Sequence, residues 1–320
     1  MVVAYARSRL FQFRNMIKAS KIILLPLLLF LVLLLSSCGK DENDVKLQGY
    51  AENKNKNLTG DCPEAARLEF PRLKGNGSIV LIHRTNDKYG VNFCTEWDCQ
   101  KRSQRWSCYQ MHAKNYGGGV GRYQEGYPFD EDLDSKYYFD TDLFWGSQYD
   151  HGHICPSADR QYSKEANRQT FFLTNMQPQR NVFNAGIWQQ MEQQVRNWVD
   201  NGLKRGSLDT LYVCKGGTID NEIQIKGYIQ NRMIIPKFFF MALLAKNTSG
   251  YKALAFWVEH KDSDYEKDGQ GNYALAKYVC NIRELENLTG IDFFCNLDDE
   301  TEEHVETLGV ENVKSAWGLK

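Results

Sequence analysis

The residues best suited to chemistry cluster in the tetrapeptide Asp150-His151-Gly152-His153. Histidine has an ordinary pKa of about 6.5, which suits proton transfer near neutrality. The glycine between the two lets backbone or a bound molecule approach closely. Taken alone, the tetrapeptide could equally lie on a strand edge and do nothing. A second group follows it. Asn175 precedes Gln177-Pro178-Gln179, and nine residues on comes Asn184, then Trp188 and Glu192 at spacings of four and four. That spacing puts the three on one face of a helix, with Asn184 and Glu192 about 12 Å apart along its axis. Both could line one groove, but they could hardly ligate one ion. A lone amide ligand suits Mg²⁺, which keeps most of its waters; Mn²⁺ is the ion that could substitute. Glu192 would then act on the water shell. Each residue also has a plain structural reading: Asn184 as an N-cap, Glu192 as a solvated helix charge, Trp188 as core. A capping box would place Glu or Gln three residues after Asn184, where Ile187 stands, and Gly186 weakens a first helical turn.

Such residues need a rigid frame. Apolar runs and alternation predict strands over 78–82, 89–97, 105–111, 170–175, 208–214, 233–244 (with Pro236 near its start) and 251–258. Residues 116–126 carry five glycines and read as a loop. The clearest helix covers 184–200, with Ile187, Trp188, Met191, Val195 and Trp198 at helical spacing and Gly202 as its stop. Shorter helices are expected over 274–285 and 300–308. Strands outnumber helices without regular alternation. The class is therefore α+β, a single domain with a central antiparallel or mixed sheet flanked by helices.

The 320 residues are 42% hydrophobic and 25% charged, which excludes a disordered tail, a collagen-like fibre or a repeat array. The net charge of −1 gives no bulk electrostatic reason to expect nucleic acid, so any polyanionic substrate must be held by a local site. The N-terminus differs in kind. Arg7, Arg9, Arg14, Lys18 and Lys21, with no acid, precede an apolar run over 22–35 that ends in Leu35-Ser36-Ser37-Cys38. The run suits a signal-peptide core better than a membrane span. Cys38 is the expected lipidation site, making this an exported lipoprotein anchored in a membrane, on the periplasmic or surface face of an outer membrane. Translation could begin at Met1 or Met16. Loss of the leader takes five bases and leaves a net charge of −6. The expected organisation is a signal peptide over 1–37, a lipidated N-terminus and tether over 38–60, and one domain over 61–320. The eight cysteines beyond Cys38 suggest up to four disulfides in an exported domain. Cys94, Cys99 and Cys108 have no second close pair, which argues against a structural zinc site.

Taken together, Asp150-His151-Gly152-His153, the stretch Thr174-Asn175-Met176-Gln177-Pro178-Gln179, Asn184 and the Trp188–Glu192 helix turn closely resemble the DNA/RNA non-specific endonucleases of the ββα-metal (His-Me finger) group. The resemblance continues through 211–217, Ile235-Pro236-Lys237 and 285–297, and spans about 75–308. It implies a ββα-metal motif in the fold and metal-dependent hydrolysis of DNA and RNA to 5′-phosphates. His153 matches the general base, Asn184 the amide that holds a single Mg²⁺, Glu192 the carboxylate that orders metal-bound waters, and Asn175 a steadying residue. Arg122 is the counterpart of an arginine that clamps the scissile phosphate, although the loop after it is longer than the family pattern. It could equally be a loop charge. His151 departs from the usual Asp-Arg-Gly-His motif. As a phosphate-binding candidate it implies a weaker grip and a more acidic optimum than arginine would give. Arg160, Arg168, Arg180 and Arg196 are candidate groove charges. The alternatives are a surface lipoprotein that binds nucleic acid without cutting it, and a zinc hydrolase chelating through His151 and His153. The second lacks further ligands at suitable spacing, since His83, His112, His260 and His304 are scattered.

Overall fold

The computed structural model describes residues 53–86 and 90–319. Cys38, the leader and most of the expected tether lie outside them. The described residues form one α+β unit built on a seven-stranded antiparallel sheet, ordered β1 (Ser78–Arg84), β2 (Val91–Asp98), β3 (Ser103–His112), β6 (Thr210–Gly217), β9 (Phe238–Asn247), β10 (Gly250–Glu259) and β11 (Val279–Cys280). Two small antiparallel pairs stand apart: β4 (Asp150–His153) with β5 (Met176–Gln179), and β7 (Ile225–Ile229) with β8 (Met233–Pro236).

The central strand β9 explains the layering. Its run Phe-Phe-Phe-Met-Ala-Leu-Leu-Ala is apolar at every position rather than at alternate ones, so both faces of the sheet must be covered. Phe239, Met241, Leu243 and Ala245 point into a core shared with helix α2 (Gln189–Arg205) and α5 (Val310–Trp317). Phe240, Ala242 and Leu244 point into a second core with α3 (Ile282–Thr289) and α4 (Asp299–Thr307). A short helix, α1 (Lys164–Gln169), is capped by Ser163 through the Ala166 amide. Along α2, Met191, Val195 and Val199 are buried at spacings of four and face the sheet. Truncating one of them to alanine would cost about 2–4 kcal/mol.

The structure corrects several expectations. The expected strand over 170–175 is a helical turn, Leu173–Asn175, leading into β5. The expected strand over 233–244 is two strands, because Pro236 has no amide hydrogen to continue a ladder and the chain changes partners after it. The expected helix over 274–285 is a short turn, Leu275–Tyr278, then β11, then α3. Helix α2 runs through Gly202 and ends at Gly206, whose φ of 65° forms the left-handed cap. Gly202 is needed for packing, since a Cβ there would lie 2.6 Å from Leu208 Cβ.

The eight described cysteines are free thiols. Five are buried and act as small apolar side chains; Cys94, Cys108 and Cys214 sit at matched positions on β2, β3 and β6, and all three belong to the second core. The last part of the expected tether is fixed rather than loose. Asn57 Nδ2 donates to the carbonyls of Ala65 and Pro71 at 3.1 and 3.0 Å, and Asn53 Nδ2 donates to that of Cys295 at 3.1 Å.

Candidate active site

β4 and β5 pair with Asp150 opposite Gln179 and His153 opposite Met176. A turn, Phe183–Trp188, kinked at Gly186, then leads into α2. Two strands, a turn and a helix thus come together: β4 carries His151 and His153, the turn Asn184 and the helix Glu192. The strands must run unusually close: a Cβ on Gly152 would lie 2.6 Å from the Gln177 carbonyl oxygen and 2.3 Å from the Gln179 side chain. Glycine at 152 therefore serves the strand pairing, and the two histidines emerge on the opposite face from it.

That face lines a pocket of about 680 Å³ which also includes Arg122, Tyr127, Asp150, Asn184, Glu192 and Arg196. His153 is packed edge-on against Phe171 at 4.8 Å and Tyr127 at 6.2 Å, and its carbonyl accepts from Trp188 Nε1 at 3.4 Å. Its Nε2 is buried without a hydrogen-bond partner. Burial, reinforced by the Arg122 and His151 charges, pushes its pKa down to about 3, so the ring is neutral at physiological pH. Arg122 does reach the pocket, its guanidinium lying 4.7 Å from the Phe171 ring centre.

Asn184 precedes the kink at Gly186 (φ −103°, ψ −114°) that separates its turn from α2, and it is not the cap of that helix. Its Nδ2 donates to Asp150 Oδ2 at 3.0 Å, and Asn181 Nδ2 donates to the same oxygen at 3.0 Å. The Asn184 Oδ1 is thereby left to serve as a ligand. An amide oxygen beside a carboxylate is a hard oxygen donor set, which fits Mg²⁺ and suits zinc poorly. A separate group, His83, Asp130 and Asp132, brings ligand atoms within 4.8 Å of one another, with His83 Nε2 on Asp130 Oδ2 at 2.8 Å. It lies outside the pocket lining.

Glu192 opens α2 and receives Lys215 Nζ at 2.6 Å. Burial lifts the Glu192 pKa above its ordinary value against the pull of Lys215. Arg196, one turn further on, pairs with Asp159 at 3.1 Å, and Asp159 also accepts from Tyr109 Oη at 2.8 Å. Asn175 is wholly buried. Its Nδ2 donates to the carbonyls of Cys155 and Thr170 at 2.8 and 2.7 Å, while its Oδ1 accepts from the Cys155 amide at 2.9 Å. It therefore fixes the backbone that follows His153 and never meets the pocket.

His151 lines the same pocket. Its ring is sandwiched between Tyr127 at 3.7 Å and Phe144 at 4.2 Å, and its Nε2 pairs with Asp142 Oδ2 at 2.8 Å. Of the candidate groove arginines, Arg196 alone lines the pocket. Arg160 is fully buried and donates to the carbonyls of Gln110 and Asn92. Arg168 pairs with Glu131 and Glu165, and Arg180 with Asp262. Sequence reasoning missed Lys215, Tyr127, Asp142 and Asn181. Lys215 alone left a trace, as a charge inside the otherwise uncharged strand run of β6.

Residues 82–300 match the profile of the DNA/RNA non-specific endonucleases. The chain belongs to this family. Among its relatives, a nuclease of Nostoc sp. is 27% identical over 73% of this chain and 84% of its own length. Human mitochondrial endonuclease G is 24% identical over 73% and 74%. Mitochondrial nuclease EXOG of Xenopus laevis is 23% identical over 67% of this chain, which spans 60% of that relative. In structure, the chain is similar to an endonuclease G crystallised with its inhibitor EndoGI, with a TM-score of 0.56 and 17% identity, over 69% of this chain and 88% of that one. The family assigns a nuclease that acts hydrolytically on DNA and RNA.

Proposed function

We propose that this family member is an exported, Mg²⁺-dependent endonuclease that cleaves DNA and RNA without regard to sequence and leaves 5′-phosphates. The observation that carries this reading is that neutral His153 shares one pocket with Asn184, Glu192 and Arg122. In the proposed reaction His153 takes a proton from water as the water oxygen attacks phosphorus. The bond from phosphorus to the 3′ oxygen breaks, and that oxygen leaves with the electron pair. Asn184, braced by Asp150, would hold the ion with Asp150 beside it. Bound there, Mg²⁺ supplies positive charge next to the phosphate. Glu192 orients water in the pocket, and Lys215 keeps that carboxylate in place. Arg122 offers a guanidinium to a phosphate oxygen. Phosphate and sugar carry no sequence information, so a grip confined to them cuts any sequence. Anchoring through a lipid at Cys38 belongs to the same proposal and places the substrate outside the cytoplasm.

The test is cleavage of supercoiled plasmid and single-stranded RNA with Mg²⁺ or EDTA, using the protein and its His153→Ala and Asn184→Ala variants. Both substrates should be degraded only with the ion. His153→Ala should lose about 10²-fold or more at any Mg²⁺ concentration, whereas Asn184→Ala should recover in part as Mg²⁺ is raised. Folded protein that binds nucleic acid but cuts neither substrate would support the binding-lipoprotein reading instead.

A further inference from the structure

On the sheet face opposite α2, helices α3 and α4 and the 290–298 connection close around a hollow of about 280 Å³. Its lining is mostly acidic, with Glu302 and Glu306 buried at its base and Lys54, Arg283 and Glu303 exposed at its rim. Glu286 of α3, Asp292 of the connection and Glu306 of α4 bring carboxylate oxygens within 4.8 Å of one another, and Glu302 sits one helical turn before Glu306. Arg283 is heavily shared. It meets Glu306 and Glu303 at 2.8 Å and Glu286 at 3.3 Å. Asp292 and Glu302 both accept from the amide of Asn55, at 3.1 and 2.9 Å. With Asp299, which pairs with Lys54 at 3.7 Å at the rim, six carboxylates face two cations and one neutral amide. Glu306 is 1% exposed, and its Oε1 is buried with no hydrogen-bond partner. A buried, unpartnered carboxylate oxygen is costly unless a cation meets it.

We propose that this hollow is a calcium site, with Glu286, Asp292, Glu302 and Glu306 as ligands and Asn55 completing the set. Calcium takes six to eight oxygens at about 2.4 Å in flexible geometry, so ligand oxygens on opposite sides of one ion lie about 4.8 Å apart. A half-turn of the Asn55 amide would present its Oδ1, now also buried without a partner, where its Nδ2 stands. The ion would tie three parts of the chain together: the segment before β1, helix α3 and helix α4. Its role is structural, on the far side of the sheet from the His153 pocket and independent of the chemistry there.

The experiment titrates Ca²⁺, with Mg²⁺ in parallel, into the EDTA-treated intact chain, following heat by calorimetry and the unfolding temperature. The expected result is one calcium bound and a rise in Tm of roughly 3–5 °C at about tenfold excess over Kd. Asn184→Ala should retain both effects. Glu306→Gln, which keeps side-chain shape, should lose both, and Asp292→Asn provides the same test if the first variant does not fold. No heat and no shift in folded protein would overturn the site. Binding that persists in both carboxamide variants made on the Asn184→Ala background, which removes the pocket's own ion site, would do the same, and an equal response of Asn184→Ala to Mg²⁺ would overturn the assignment to calcium.

Discussion

Lys215 extends from β6 to place its Nζ 2.6 Å from Glu192 Oε1 and 4.7 Å from the centre of the Trp188 ring. The lysine is 1% exposed, so its charge has little access to water and depends on the carboxylate and the indole face. A sheet strand thereby fixes a side chain at the start of α2, the helix that borders the pocket.

Removing one partner of this pair should cost more than removing both. Lys215→Met is expected to lower stability by about 3 kcal/mol, because Glu192 is left buried and unpaired. Adding Glu192→Gln in the same chain should restore most of that loss without restoring cleavage. Urea unfolding of the two single variants and the double variant measures the coupling. Strictly additive losses would show that the pair is not an energetic unit.

The lowered pKa of His153 sets the acid side of the rate profile. A base whose pKa is pushed down to about 3 remains unprotonated well below the ordinary histidine value of about 6.5. Activity should therefore persist as pH falls through 6.5 and decline only several units lower. The kcat/KM profile of the Mg²⁺-loaded enzyme measures this. An inflection near 6.5 would mean that His153 is better solvated than its packing against Phe171 and Tyr127 implies.

His151→Arg should improve substrate affinity without disturbing the fold. Arginine can keep the Asp142 pair and the stacking against Tyr127 and Phe144, with further N–H groups left over for phosphate. A fall in KM of about tenfold is expected, equivalent to one charge-assisted hydrogen bond, with kcat nearly constant. Steady-state kinetics on plasmid decides it; an unchanged KM would show that position 151 never meets substrate.

His260 provides a stability signal separate from catalysis. Its Nε2 accepts from the Arg180 amide at 2.7 Å and its Nδ1 donates to the Pro236 carbonyl at 2.9 Å, which fixes one neutral tautomer. Burial pushes its pKa down to about 4. Between there and about 6.5 the unfolded chain binds more protons than the folded one. Stability is thus full above about pH 6.5 and falls as pH drops toward 4, by at most about 3 kcal/mol. Denaturant melts across that window should show the slope, and His260→Gln should reduce it, leaving the share that the likewise depressed His153 contributes.

Much of the site was legible because its parts are local. His153 follows Gly152 on one short strand, and Asn184 and Glu192 follow each other along one turn and helix, so spacing alone brings each pair together. The same holds for the double-sided burial of β9, written in its uninterrupted apolar run. Arg122, 31 residues upstream of His153, could be proposed only through resemblance; the fold brings it to the pocket over Phe171.

What the amino-acid order by itself determined was the α+β class, most of the sheet, the main helix and the family, because periodicity, turn residues and motif spacing are short-range properties. Tertiary structure alone decided which charges meet. It set Lys215 against Glu192, turned His151 toward Asp142 and buried Arg160 in carbonyls rather than in the groove. It also kept the eight described cysteines as thiols, five of them buried. Those outcomes depend on residues dozens of positions apart and on the cost of leaving a buried charge or dipole unmatched, which no local pattern records.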